Sequence, residues 1–261
     1  LGKMALWLVR AGTHGEQEAG VIKHEVVSIG WNELPDLSNI KNKESLEDLY
    51  VKTYGQQKKM HVANTTGQIW NFINKIKKGD LVALPLKSQS AIILGEVIGD
   101  YEFKEYEPNI KHVRKVKWNK TIPRSEFDQD ILFSLGAFLT VGNIQRNNAE
   151  ERIKAMLKGD KKPIEKTVNL EESEYSTPHD LEETAKDRII KYIEAKFSGH
   201  PLARLIDEIL QVQGYVTRRS PPGADGGVDI LAGSGALGFG DPKICVQVKS
   251  SKSPVDVRVL R

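Results

Sequence analysis

The run KGDKKPIEKTVNLEESEYSTPHD, from Lys158 to Asp180, constrains this chain more than any other stretch. It is dense in charge and poor in large apolar side chains. It follows neither the 3.6-residue period of a helix nor the two-residue period of a strand. Such a segment cannot bury enough apolar surface to join a core, so it reads as a linker. A chain of 261 residues divided there yields two domains of ordinary size. The expected boundaries are 1–157 for the first domain, 158–176 for the linker and 177–261 for the second.

Composition removes several classes of protein. With 39% hydrophobic and 28% charged residues the chain is globular rather than disordered. No apolar run is long enough to cross a bilayer, so no membrane partner is expected. The opening LGKMALWLVRAG is interrupted by Arg10 and Gly12 too soon for a secretory signal, and Met4 reads as a natural start. Cys245 is the single cysteine, which excludes an internal disulfide and a cysteine-based zinc site and suits a reducing cytoplasm. A net charge of +3 permits nucleic-acid binding without arguing for it; local clustering has to carry that case.

The first half is rich in strands. Ala5–Ala11 and Val26–Trp31 have strand character, and KESLEDLYVKTYG reads as a helix stopped by Gly55. Thr65 or Thr66 is placed to cap the next helix, GQIWNFINKIKKGD, whose Ile69, Phe72, Ile73 and Ile76 form one apolar face. LVALPL, AIILGEVIGDYEF and HVRKVKW follow as strands. ILFSLGAFLTV fits a buried strand or a short helix, and NNAEERIKAML closes the half as a helix. Beyond the linker, Thr177 and Pro178 open a helix with a stripe at Leu181, Ala185, Ile189, Ile193 and Phe197. A second helix begins at Pro201 and ends at Gly214. A strand and a hairpin complete an α-α-β-β-β order, with GSGALGFG as the hairpin loop rather than a phosphate cradle.

Chemistry concentrates in that hairpin. Strand alternation puts Ile244, Val246 and Val248 on one face of ICVQVK, and Cys245, Gln247 and Lys249 on the other. In VDIL, Asp229 shares a face with Leu231. Pairing of the two strands would bring Asp229, Gln247 and Lys249 together. A carboxylate and an amide oxygen are hard ligands suited to Mg²⁺, and a backbone carbonyl such as that of Val248 could complete the protein's share. Lys249 could then orient an attacking water or neutralise phosphate charge. The competing reading is a solvated edge strand that carries Gln247 and Lys249 for solubility alone.

GYVTRRSPPGADGGVDILAG followed by ICVQVKSS resembles the Mrr-type catalytic domain of the PD-(D/E)xK nuclease superfamily. The resemblance implies a Mg²⁺-dependent DNA endonuclease of bacterial or archaeal restriction. In it Asp229 is the metal-binding acid, Gln247 stands where an acid is more usual, and Lys249 is the catalytic amine. Asp225, with Gly226 and Gly227, is assigned to the turn. Relatives often carry a glutamate early in the preceding helix. That position falls near Ala203 here, leaving His200, Asp207 or Glu208 as substitutes. The chain ends soon after Lys249, where the family fold continues, so the nuclease fold is expected to be incomplete, with VDVRVLR opening its next helix.

ALWLVRAG, TTGQIWNFINKIKKGDLVALPL and AIILGEVIGDY together resemble the EVE/PUA-like fold, a small β-barrel that holds a base, often a modified one. Reading a base that way needs a stacking surface and cations for phosphates. Trp31 and Trp118 are the aromatic candidates, although Trp118 fits a core position equally well; Trp7 and Trp70 read as core. KHVRKVKWNK surrounds Trp118 with Arg114, Lys115 and Lys117, the strongest local nucleic-acid signal. Arg10 and His14 are candidates for the mouth of a pocket. The expectation for the whole chain is α+β or α/β: an EVE/PUA-like barrel with helices joined to a PD-(D/E)xK fold. Its function would be that of a modification-dependent, type IV-like restriction endonuclease acting on double-stranded DNA, with a homodimer supplying the second active site. The alternative is a non-catalytic reader of modified DNA or RNA whose nuclease half is degenerate or truncated.

Overall fold

The strand Leu6–Val9 (β1) is apolar at every position and buried at every position. Alternation sends Leu6 and Leu8 into one apolar cluster and Trp7 and Val9 into another, so β1 is covered on both faces. The computed structural model describes residues 4–159, 181–197, 199–220 and 228–249. The expectations for most of the linker, for Thr177 and Pro178, for Asp225 to Gly227 and for VDVRVLR lie outside these residues. The chain divides into two compact units, Leu1–Thr184 and Ala185–Arg261.

In the first unit β1 is followed by α1 (Glu18–Lys23), β2 (Val26–Ile29), α2 (Lys43–Tyr54), α3 (Lys59–Trp70), β3 (Leu81–Pro85), β4 (Ala91–Glu107), β5 (Ile110–Pro123), α4 (Gln129–Leu135), β6 (Val141–Ile144) and α5 (Ala149–Lys158). The strands form one six-stranded mixed sheet in the order β2-β5-β4-β3-β1-β6. Only β1 and β3 run parallel; the other pairs are antiparallel. The apolar face of α2 and α3 covers one side with Leu46, Tyr50, Ile69 and Phe72, and α4 and α5 cover another with Ile131, Leu135 and Ile153.

The expected barrel is not closed. Closure requires the first and last strands of a sheet to pair, and β2 and β6 remain edges. Curvature comes instead from β4 and β5, whose pairing shifts register between Leu94 and Gly95 and between Val97 and Tyr101.

The apolar stripe Ile69, Phe72, Ile73 and Ile76 is buried as the period requires. Its helix, however, starts at Lys59, so neither Thr65 nor Thr66 caps it. Thr66 lies inside, where its hydroxyl donates to the Val62 carbonyl at 2.8 Å. The helix ends in a π turn, Asn71–Lys75. ILFSLGAFLTV resolves into both alternatives, α4 and then β6, because Gly136 breaks the run. Asp80, buried in the Gly-Asp step before β3, is a hub. It accepts N–H bonds from Ala5 (3.0 Å), the Trp7 indole (2.9 Å) and Lys77 (2.9 Å), tying β1 to the end of the α3 region. Asp130 at the start of α4 takes both terminal nitrogens of Arg152 on α5, at 2.6 and 2.8 Å, and the guanidinium holds its carboxyl below the usual carboxylate range.

The second unit begins inside α6 (Leu181–Lys196) and continues with α7 (His200–Val212), β7 (Val216–Arg219), β8 (Ile230–Ser234) and β9 (Gly240–Val246), the expected α-α-β-β-β order. The sheet is antiparallel, β7-β8-β9, with Ile230 and Ala232 buried. Gly214 adopts φ +91° just past α7, and Tyr215 N–H returns to the Leu210 carbonyl at 3.0 Å. From Ala185 onward the stripe expected on α6 is not buried: Ile189 is 58% exposed, while Asp187 is buried. The spacing explains this. Steps of four residues advance about 40° each beyond a full turn, so a stripe built only from them winds around the helix.

Candidate active site

Asp229 is held by the sheet on three sides. Its N–H donates to the Val246 carbonyl at 2.9 Å, and its own carbonyl accepts from the N–H of Ser220 at 2.9 Å. Its carboxylate Oδ2 accepts the N–H of Val248 at 2.7 Å. Val246 is the register partner of Ile230, so Asp229 and Ile230 both address one residue of β9. The side chain thereby takes the N–H of Val248, beyond the last residue of β9. The Ser220 hydroxyl adds a bond to the Val228 carbonyl at 2.5 Å and fixes the approach to Asp229 from the β7 side. Ser220 was not singled out from the sequence. Its signal was its place at the end of GYVTRRS, beside the strand that carries the acid.

Gln247 and Lys249 are exposed, and Val246 and Val248, which alternate with them, are half-buried, so the alternation of ICVQVK continues past the end of β9. The hairpin loop between Ser234 and Gly240 brings two backbones together: a Cβ on Gly233 would lie 1.9 Å from the Gly238 carbonyl oxygen, so only glycine fits there. Among the described residues no three His, Cys, Asp or Glu side chains cluster as a metal site.

The helix before the hairpin carries Ala203, half-buried, at the expected glutamate position. Asp207 is buried in the same helix. Its Oδ2 accepts from Arg219 Nε on β7 at 3.0 Å and from Gln211 Nε2 at 3.3 Å, while Oδ1 is buried with no partner. Glu208 is exposed and pairs with Arg204 one turn away at 3.0 Å. His200 is the first residue of α7, with Gly199 at the cap position before it.

In the first unit the residues singled out for nucleic acid separate by strand face. Along β5, Lys115 and Lys117 point outward and are exposed, while His112, Arg114 and Val116 point inward. Arg114 is buried, against its expected surface role, and donates to the carbonyls of Phe72 (2.6 Å), Ile73 (2.9 Å) and Gly99 (3.3 Å). Trp118 is half-buried between two apolar clusters. Its ring lies so close over Gly95 that a Cβ there would sit 2.7 Å from it, and its indole N–H is buried without a partner. Trp31 is half-buried and packs on the α2 and α3 cluster, which also buries Trp7 and receives Trp70. Arg10 donates to the Leu135 and Ala137 carbonyls at 2.8 and 3.3 Å, beside the C-terminus of α4. His14 is exposed.

A buried polar chain unmarked in the sequence lies beside Arg114. His112 Nε2 faces the Leu34 carbonyl at 3.2 Å, which can only accept, so Nε2 carries the proton. The Tyr101 hydroxyl then donates to Nδ1 at 2.7 Å and accepts from the Leu37 N–H at 3.2 Å. Burial keeps both neutral: it lowers the pKa of His112 and pushes Tyr101 up to about 12.

Residues 194–261 match the family model of a restriction endonuclease of the Mrr catalytic type. The carboxy-terminal segment is thus similar to restriction endonucleases. The match covers α7, the three strands and the residues from Asp229 to Lys249, and it supports a nuclease, hydrolytic and DNA-directed, in that segment. Residues 7–135 match a family described as a domain of unknown function (DUF8426), which assigns no activity to the first unit. No curated protein matches the chain. Among the described residues no helix is long and apolar enough to cross a membrane.

Proposed function

We propose that the chain is a Mg²⁺-dependent restriction endonuclease that hydrolyses phosphodiesters of double-stranded DNA, with Asp229, Gln247 and Lys249 as its catalytic set. One observation carries the reading: the Val248 N–H bonds the Asp229 carboxylate at 2.7 Å, within the segment that matches restriction endonucleases. That contact holds the acid against the Gln-x-Lys segment. Mg²⁺ takes one or two carboxylates and keeps several waters and substrate oxygens. Asp229 suits such an ion, since its Oδ1 has no partner among the described residues, and the Gln247 amide oxygen and Val248 carbonyl add hard oxygens. When bound, the ion supplies Lewis acidity at the scissile phosphate. Lys249, exposed beside this group, offers an ammonium to the phosphate or to the attacking water.

The first unit is assigned to DNA recognition through a modified base, with Lys115 and Lys117 meeting phosphates and Trp31 and Trp118 as the aromatic surface. Its support is the exposure of both lysines and the unpartnered indole of Trp118. A homodimer in the cytoplasm would present the two centres that double-strand cleavage needs. The test is cleavage of modified and unmodified duplexes by the full chain with Mg²⁺, repeated for Asp229→Ala and Lys249→Ala. Cleavage at the native rate after either substitution refutes the catalytic assignment.

A second reading is a reader of modified DNA or RNA with a degenerate nuclease half. It is favoured by Ala203 in the place of an acid and by Asp207 being taken up by Arg219. Binding without any metal-dependent cleavage would select it.

A further inference from the structure

A cavity of about 570 Å³ opens in the first unit between the loop after β2, the π turn after α3 and the bend of β4. Leu37, Ile40, Ile73 and Ile76 give it apolar walls. Its charged lining is unbalanced, with Arg114, Lys77 and Lys78 against one carboxylate, Asp100. Lys78 and Asp100 pair with each other at 2.8 Å, both largely exposed, and Asp100 reaches Arg114 only as a longer-range charge.

Arg114 decides the chemistry. It is 3% exposed, and its bonds go to three backbone carbonyls, which offer dipoles but no negative charge. No carboxylate contacts it as an ion pair among the described residues; Asp100 and Asp80 act on it only from farther off, and burial outweighs them and lowers its pKa. A buried cation without a counter-ion is expensive, and proteins ordinarily pair it. Three of the five N–H groups of a guanidinium are directed to the carbonyls, so the fork retains donors for an anion. The rest of the lining suits a planar apolar body. Tyr101 lines it, held rigid by His112 stacked at 6.0 Å and by Phe72 edge-on at 6.5 Å. The volume falls in the range of roughly 300–1,000 Å³ typical of small-molecule sites.

We propose that this cavity binds a nucleoside phosphate, with its phosphate drawn to Arg114 and Lys77 and its base against the isoleucines and Tyr101. The inference uses no residue of the second unit and stands or falls apart from the nuclease reading. The same chemistry could be presented by a free nucleotide or by the terminal nucleotide of a strand, and the experiment separates the two.

The test is calorimetric titration of the full chain, without metal so that cleavage plays no part. The probes are AMP, adenosine, inorganic phosphate and a 5′-phosphorylated trinucleotide. AMP or the trinucleotide is expected to saturate one site per chain, with adenosine and phosphate each at least about tenfold weaker than the better ligand. Whichever of the two binds more tightly identifies the source. Lys77→Glu combined with Lys78→Glu, both at the exposed rim, should weaken binding at least about tenfold with an unchanged melting temperature. Ser38→Trp should block the cavity by filling it. Arg114→Met should abolish binding, and should it fail to fold, the rim and filling variants still decide. No saturable binding of either phosphate probe at millimolar concentration overturns the proposal. So does adenosine binding as tightly as AMP, or rim variants that bind as the native chain does.

Discussion

At the scale of single residues, three side chains bear distinct burdens. Asp229 is bonded through its N–H, its carbonyl and its carboxylate, so its position is set before any ligand arrives. Asp229→Ala should reduce cleavage by about 10²-fold or more while costing only about 1 kcal/mol of stability, the worth of one hydrogen bond. Cleavage rates and urea unfolding on the same preparation check both halves of that statement. Asp80 is the opposite case. Replacing it with alanine strands the N–H groups of Ala5, Trp7 and Lys77, and should cost about 3 kcal/mol or more in urea unfolding. His112 predicts a pH response. Its folded pKa is below the ordinary 6.5, so the unfolded chain binds the proton more readily. Its contribution to stability is therefore complete above pH 6.5 and is lost as pH falls through that value, by at most about 1.4 kcal/mol per pH unit. NMR titration should find His112 still neutral, protonated on Nε2, as the pH falls below 6.5.

At the scale of elements, local chemistry was readable where it was complete within a few residues. The stop of α2 at Gly55 and the end of α7 at Gly214 followed from glycine itself, and both adopt positive φ. The cap of α2 went unremarked, although Asn42 accepts the Ser45 N–H at 2.8 Å in the usual pattern. Asn42→Ala should cost about 1 kcal/mol by thermal melting. The start of α3 was misread because a threonine near an apolar stripe has the composition of a cap. Only the turn preceding it, with Val62 buried, reveals that the helix has already begun. The α6 stripe failed for a geometric reason, since a repeat of four is not the period of the helix. The bond from Asp229 to Val246 has no sequence signal of its own, because the register of two strands is a property of the pair and not of either alone.

At the scale of the whole molecule, the proposed division of labour makes the two units separable by mutation. Lys115→Ala with Lys117→Ala should lower DNA affinity and reduce the slope of log K against log salt by about two, with the melting temperature unchanged. Salt-dependent binding isotherms measure this, and an unaltered slope would remove β5 from the DNA surface. The same strand shows where reading a sequence stops. The residues themselves determined the α-α-β-β-β order after the linker, the alternation in ICVQVK and the similarity of the Asp229–Lys249 region to nucleases, because each depends on neighbours in the chain. Tertiary structure alone decided that the six-stranded sheet stays open, that Arg114 is buried under Phe72 while Lys115 faces water, and that the Val248 N–H meets the Asp229 carboxylate. Those outcomes depend on which distant segments supply carbonyls, apolar cover or a register partner, and periodicity along one strand carries no record of them.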